Sequence, residues 1–265
     1  MKKVLVMSLI ALVVMTMSSC MRVKLGENGW SLINKYGHHN DTPTQVHQVN
    51  QETQMQPFDG VDVSGPFNVI LEQGQASTVR VDGTTDQLAN MTIYVEGGNL
   101  VIDMKEDMVD SGKFFKGMRI FVSSPSVKSI EIAGSGTVTA PNALAVADLG
   151  LEIAGSGDIT LAQLTCKDLS MEIAGSGDIT LGTVQANEAS GEIAGSGDIE
   201  VAGLICKNVK NQIAGSGDIT LNNLQVGHVK SEIAGSGNVI LRGKADSHDE
   251  EIVGSGKVDV SGLKN

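Results

Sequence analysis

The chain has 265 residues and a formal net charge of −12. An acidic balance of that size disfavours nucleic acid as a partner and supplies no basic patch for anionic lipid.

The chain opens on a short basic region, Met1-Lys2-Lys3, followed by 14 mostly apolar residues from Val4 to Met17. That run is too short to span a bilayer, so residues 1–19 read as a signal peptide. Met17-Ser18-Ser19-Cys20 resembles a bacterial lipoprotein cleavage box, and by that resemblance Cys20 becomes the acylated first residue of the mature protein. Acyl chains bury many methylenes and would hold the protein at a membrane. Cleavage there removes Lys2 and Lys3, leaving 17 basic against 31 acidic residues and a net charge of −14. Residues 20–56 read as a polar, lipid-anchored tether, in which Trp30 and Leu32 could make a small local contact. His38, His39 and His47 fall in it as solvated side chains, because no cysteine or carboxylate stands at ligand spacing.

From Phe58 a strand pattern begins. Val61-Asp62-Val63-Ser64-Gly65 has the layout of Ile130-Glu131-Ile132-Ala133-Gly134, and Ile93 to Ile102 repeats it with Gly97-Gly98 at the corner. Val79-Arg80-Val81 is a further partial copy. Residues 57–130 are therefore expected to be degenerate coils, with Phe67, Tyr94 and Phe121 filling a wider start. The stretch Lys105 to Gly117 interrupts the pattern; its Phe114-Phe115 either folds over the open end of the core, the favoured reading, or stands exposed as a partner contact.

In residues 131–260, Ile-Ala-Gly-Ser-Gly occurs six times, at Ile132, Ile153, Ile173, Ile193, Ile213 and Ile233, with Ile-Val-Gly-Ser-Gly at Ile252. Successive copies stand 19 to 21 residues apart. Such a period means stacked units, each too small to bury its own apolar face. Within one unit, Leu169, Met171 and Ile173 alternate with Ser170 and Glu172, which is the period of a half-buried strand. Gly175-Ser176-Gly177 breaks it, the glycines suiting a sharp corner, and Asp178-Ile179-Thr180-Leu181 alternates again. The expected fold is all-β: a right-handed parallel β-solenoid of about 20-residue coils over residues 57–265, with equivalent strands about 4.8 Å apart. Stacking in register would put the serines in a hydroxyl ladder. Leucine-rich repeats have a similar period but need more leucine and an Asn or Cys ladder.

The series Gly65-Pro66-Phe67-Asn68-Val69, Glu72-Gln73-Gly74, Gly97-Gly98-Asn99-Leu100-Val101-Ile102 and the Gly-Ser-Gly coils resembles the putative auto-transporter adhesin, head GIN domain family. That resemblance covers roughly residues 58 to 260. It implies a parallel β-solenoid in the cell envelope, in proteins that are commonly lipoproteins, and it brings no catalytic signature. Met21-Arg22-Val23-Lys24 lacks the acidic residues that often follow the lipidated cysteine of surface-exported lipoproteins, so a periplasm-facing position stays open beside a surface one.

Two constellations invite chemistry. Asp158, Asp178, Asp198 and Asp218 share one slot in four successive coils, and carboxylates about 4.8 Å apart repel and invite a cation. Calcium-binding β-rolls, however, use Gly-Gly-x-Gly-x-Asp at a period of nine, and each Asp is expected instead to cap its own corner. Cys166 and Cys206 occupy one slot two coils apart, roughly 10 Å, beyond disulfide reach, so free buried thiols are expected. No cofactor is implied. These readings point to a non-catalytic envelope lipoprotein presenting a rigid acidic solenoid, structural or adhesive, with the membrane as one partner and a glycan or an envelope protein as another. The alternative is a β-helix protein that binds or cleaves polysaccharide, which the 3% aromatic content and the absence of long loops disfavour.

Overall fold

The computed structural model describes residues 46, 48–105 and 111–264, and the backbone of 22–26 and 29–33. Two units divide at Thr42 and Pro43. In the first, β1 (Arg22–Gly26) pairs antiparallel with β2 (Gly29–Ile33), within the stretch expected to be tether. The signal segment, Cys20, His38, His39 and His47 lie outside the described residues.

The second unit begins with β3 (Glu52–Gln54), β4 (Gly60–Ser64), β5 (Asn68–Gln73), β6 (Thr78–Asp82), β7 (Met91–Glu96), β8 (Asn99–Met104) and β9 (Arg119–Ser124). Here the expectation of uniform degenerate coils holds only in part. β4 and β5 stack in parallel beneath the regular coils, as expected. Val79-Arg80-Val81 instead lies in an antiparallel strand, β6, between β3 and β9. Ile93 to Ile102 is an antiparallel hairpin of β7 and β8. Gly97 and Gly98 carry φ of 60° and 89° at its tip, which is the two-residue turn of a hairpin rather than a coil corner. The antiparallel cap thus consists of β6 and β7, paired to β9 and β8, while β8 and β9 themselves continue the parallel stack beneath β4 and β5 as expected. Head packing also starts before residue 57, since Val46 and Met55 are buried and Asn50 N–H donates to the Val81 carbonyl at 2.7 Å.

The regular stack follows: β10 (Ser129–Gly134), β11 (Thr137–Ala145), β12 (Asp148–Gly155), β13 (Asp158–Thr165), β14 (Asp168–Gly175), β15 (Asp178–Gln185) and β16 (Glu188–Gly195), then β17 (Ile199–Gly215), β18 (Ile219–Gly235), β19 (Asn238–Gly254) and β20 (Lys257–Lys264). It is a parallel β-solenoid of about seven turns with roughly 20-residue coils. Like stands on like: Ile153 opposite Ile173, Glu152 opposite Glu172, Ile159 opposite Ile179. Period-two alternation sends Leu169, Met171 and Ile173 inward, and the repeat isoleucines Ile132, Ile153, Ile173, Ile193, Ile213 and Ile233 are at most 2% exposed. Burying one such side chain contributes roughly 1.5 to 3 kcal/mol.

The corner works differently from the expectation. Gly175 has φ of 141°, and its equivalents from Gly134 to Gly254 are all positive. Gly177 has no such φ; a Cβ there would collide with the carbonyl oxygen of Gly157 in the coil below and press Ile153. Gly175 is needed for both backbone conformation and close approach, since a Cβ on it would collide with the Gly155 carbonyl, whereas Gly177 is needed for close approach alone. No hydroxyl ladder joins the serines. Ser176 is exposed, and its backbone N–H donates to the Gly155 carbonyl at 2.8 Å.

Among the larger side chains, Phe67 is buried and Phe115 covers it edge-on, ring centroids 4.9 Å apart. The interrupting segment thus caps the core through Phe115, while Phe114 stays 36% exposed. Tyr94 is only half-buried. Phe121 faces outward under the Arg80 guanidinium, 4.2 Å from the ring centroid, with Arg119 at 5.4 Å.

Candidate functional site

Register stacking turns each outward position into a row of equivalent residues running along the solenoid. Three of these rows carry chemistry, together with the cysteine slot.

The first is the corner row of Asp158, Asp178, Asp198 and Asp218, which the structure does bring side by side. Each carboxylate caps the following coil rather than its own. Asp158 Oδ1 accepts from Asp178 N–H at 3.3 Å, Asp178 from Asp198 at 2.9 Å and Asp198 from Asp218 at 2.8 Å. Asp218 Oδ1 ends the series by accepting both the backbone N–H and the side-chain amide of Asn238, at 2.7 and 2.9 Å. Such charge-assisted bonds disperse the carboxylate charge and tie adjacent coils together. Among the described residues, no group of three or more His, Cys, Asp or Glu side chains is placed to hold a metal.

The second row is longer and more buried. Asp62, Glu131, Glu152, Glu172 and Glu192 stand in register, followed by Gln212, Glu232 and Glu251. Burial, then the charges of Asp62 and Glu152, push the Glu131 carboxyl up to about 7. Glu152 and Glu192 are also raised, first by burial and then by Glu172. Asp62 is raised by burial against a hydrogen bond from Asn99 Nδ2 at 3.0 Å, and its Oδ1 is buried without a partner. Gln212 interrupts the repulsion by donating its amide to Glu232 at 2.7 Å. Burial works to raise Glu232, but Lys230, at 2.6 Å, together with Lys210 and Gln212, holds it below the usual range. Asp62 was legible beforehand, because Val61-Asp62-Val63 has the layout of Ile130-Glu131-Ile132.

A groove of about 410 Å³ that sequence reasoning missed is lined by Asp148, Asp168 and Glu188 together with Leu149, Leu169 and Ala189. Gly150, Ser170, Ser190 and Lys210 complete its lining. Ser170 donates to Glu172 at 3.3 Å, and Lys210 Nζ donates to Gln212 at 2.8 Å. The signal lay two residues before Glu152, Glu172, Glu192 and Gln212, where Gly, Ser, Ser and Lys replace one another.

The two cysteines are free, as expected, with Cys206 buried and Cys166 only half-buried. Burial first, then nearby acids, push Cys166 up to about 11 and Cys206 up to about 12. Both stay as thiols at neutral pH and neither is a poised nucleophile.

A family described as putative auto-transporter adhesin, head GIN domain matches residues 57–245 and again 212–265. A crystal structure from Bacteroides fragilis described as a putative adhesin is similar over 83% of this chain and 97% of its own, with a TM-score of 0.72 and 24% identity. One from Parabacteroides distasonis described as a putative lipid binding protein matches over 85% and 98%, with a TM-score of 0.63 and 22% identity. A putative adhesin from Parabacteroides merdae matches over 85% and 98%, with a TM-score of 0.61 and 18% identity. At these identities the structures show the same fold. No curated protein matches the chain. Since the family match runs from the antiparallel cap through the last coil, this chain belongs to the putative auto-transporter adhesin, head GIN domain family.

Proposed function

We propose that the protein is a non-catalytic adhesive module of the bacterial cell envelope, held at the outer membrane by a lipid on Cys20 and presenting the acidic solenoid as a rigid rod. One observation carries the reading. From Ser129 to Lys264, no more than three residues separate consecutive strands. Catalytic side chains are disproportionately placed on loops, and connections this short cannot build a cleft over the sheet. The coils offer instead flat rows of carboxylate, hydroxyl and amide groups repeated at strand spacing. A repetitive partner such as a surface glycan could meet several equivalent positions at once, which raises avidity without a deep pocket. Family membership supports the same class of role, and the Met17-Ser18-Ser19-Cys20 motif supports the anchor.

The test uses the full chain and its Cys20→Ala variant. Detergent-phase partitioning should retain the wild type and release the variant, and protease added to intact cells reports which side the rod faces. A glycan array combined with a hydrolysis screen should show binding without cleavage. Release of sugar fragments would establish an enzyme and overturn the reading.

A further inference from the structure

The coil of β19 leaves a sheet edge open among the described residues. Asp246–Gly254 of β19 pairs with β18 on one side, while β20 pairs only with residues from Asn238 to Lys244. Among the described residues, no strand pairs with the other side of Asp246–Gly254, so its backbone N–H and C=O groups form a free row. Such a row is a template for an added strand.

Side chains on this edge say what kind of strand fits. Ile252 occupies the slot that is sealed in every coil from Ile132 to Ile233, yet it is 39% exposed, and Val253 is 42% exposed. His248 and Glu250 stand in register with Val229 and Ser231, which are buried. Polar residues at inward positions stop the apolar core from continuing into another coil of the same kind. Asp246, Asp249, Glu250 and Glu251 then place four carboxylates within six residues. Asp249 meets the His228 ring at 3.6 Å but is 76% exposed. Antiparallel pairing with a second copy centred on Glu250 would set Asp249 against Glu251 and Glu250 against itself. Like charges directly opposite are destabilising, so the edge selects against its own copy and for the opposite sign.

We propose that Asp246–Gly254 is a strand-addition site for an extended, lysine- or arginine-bearing peptide segment. Its backbone completes the free ladder, its basic side chains lie across from Asp249 and Glu251, and its alternate apolar side chains cover Ile252. The contact lies on the β19 edge and does not depend on the outward rows being adhesive.

The probe is acetyl-Lys-Val-Lys-Val-Lys-Val-Lys-amide, with the Glu-Val counterpart as control, added to the full-length chain. Fluorescence anisotropy should show binding of the lysine peptide only, weakening as salt screens the charges. Hydrogen exchange should show new protection at residues 246–254. Asp249→Lys with Glu251→Lys should weaken binding about tenfold or more, as two surface attractions become repulsions. Asp148→Lys with Glu188→Lys makes the same net-charge change on a side face and should leave binding intact. Equal loss in both double variants would reveal diffuse attraction to an acidic rod and overturn the proposal. Absence of binding, or protection elsewhere, would overturn it too. Self-association of the chain through this edge at neutral pH, abolished by the Asp249 and Glu251 reversal, would assign the edge to a second copy instead.

Discussion

Replacing Glu131 by Gln should stabilise the protein at alkaline pH and make no difference in acid. In the folded chain the Glu131 carboxyl titrates near 7, against an ordinary value of 4.5, because it is half-buried between Asp62 and Glu152. A raised carboxyl binds its proton more tightly folded than unfolded. The native state is therefore penalised above pH 7, and the penalty fades as pH falls through 7 and is gone below about 4.5. A shift of this size corresponds to about 3 kcal/mol, which partial solvation reduces to about 1 to 2 kcal/mol. Glutamine removes the charge, and Gln212 shows that an amide in this row donates to the next carboxylate, at 2.7 Å. For a chain of this size, the gain should raise Tm by about 3 to 6 °C at pH 8. Thermal unfolding followed by circular dichroism at pH 8 and pH 4.5 measures it. Glu232→Gln supplies the contrast within the same row. That carboxyl is held low by its lysine partners, so its stabilisation is present above the unfolded value and is lost as pH falls through the folded one. The glutamine variant should be less stable than wild type at pH 8. If both variants shift Tm in the same direction, or if the Glu131→Gln gain does not change with pH, the row is not an electrostatically strained element and the reasoning fails.

Other expectations test the core and the corner. Ile173 is completely buried between Ile153 and Ile193, so Ile173→Asp should lower stability by several kcal/mol, measured by urea unfolding. Gly177→Val should be far more damaging than Ser176→Ala, because a Cβ at 177 strikes the Gly157 carbonyl whereas Ser176 is exposed; hydrogen exchange should show lost protection near Ile153 and Ile193 in the valine variant only. Asp198→Ala removes the acceptor for Asp218 N–H and should cost about 1 kcal/mol, a loss seen in thermal unfolding and undiminished by added calcium.

The repeat region was legible because its signal is redundant. Seven copies of one corner at a 19- to 21-residue step, flanked by period-two alternation, allow a single way to bury the apolar faces. Register followed from identity: once Ile173 stacks on Ile153, Glu172 must stack on Glu152 and Asp178 on Asp158. Residues 57–130 carried the same alternation without the constant step, and alternation alone does not distinguish parallel from antiparallel pairing. The sign was decided by connection length, since a two-residue Gly97-Gly98 turn can only return the chain antiparallel. Hydrogen-bond partners lay equally beyond the sequence. It could say that an Asp sits at the corner but not that its oxygen faces the next coil's N–H, because that depends on the rise between coils. Similarly, two glycines flanking one serine look equivalent as letters. Only the structure shows that both press on the coil below and that Gly175 alone also carries a positive φ. The carboxyl of Glu131 is raised for the same reason: its burial and its two acidic neighbours come from different coils, and proximity across coils is a property of the stack.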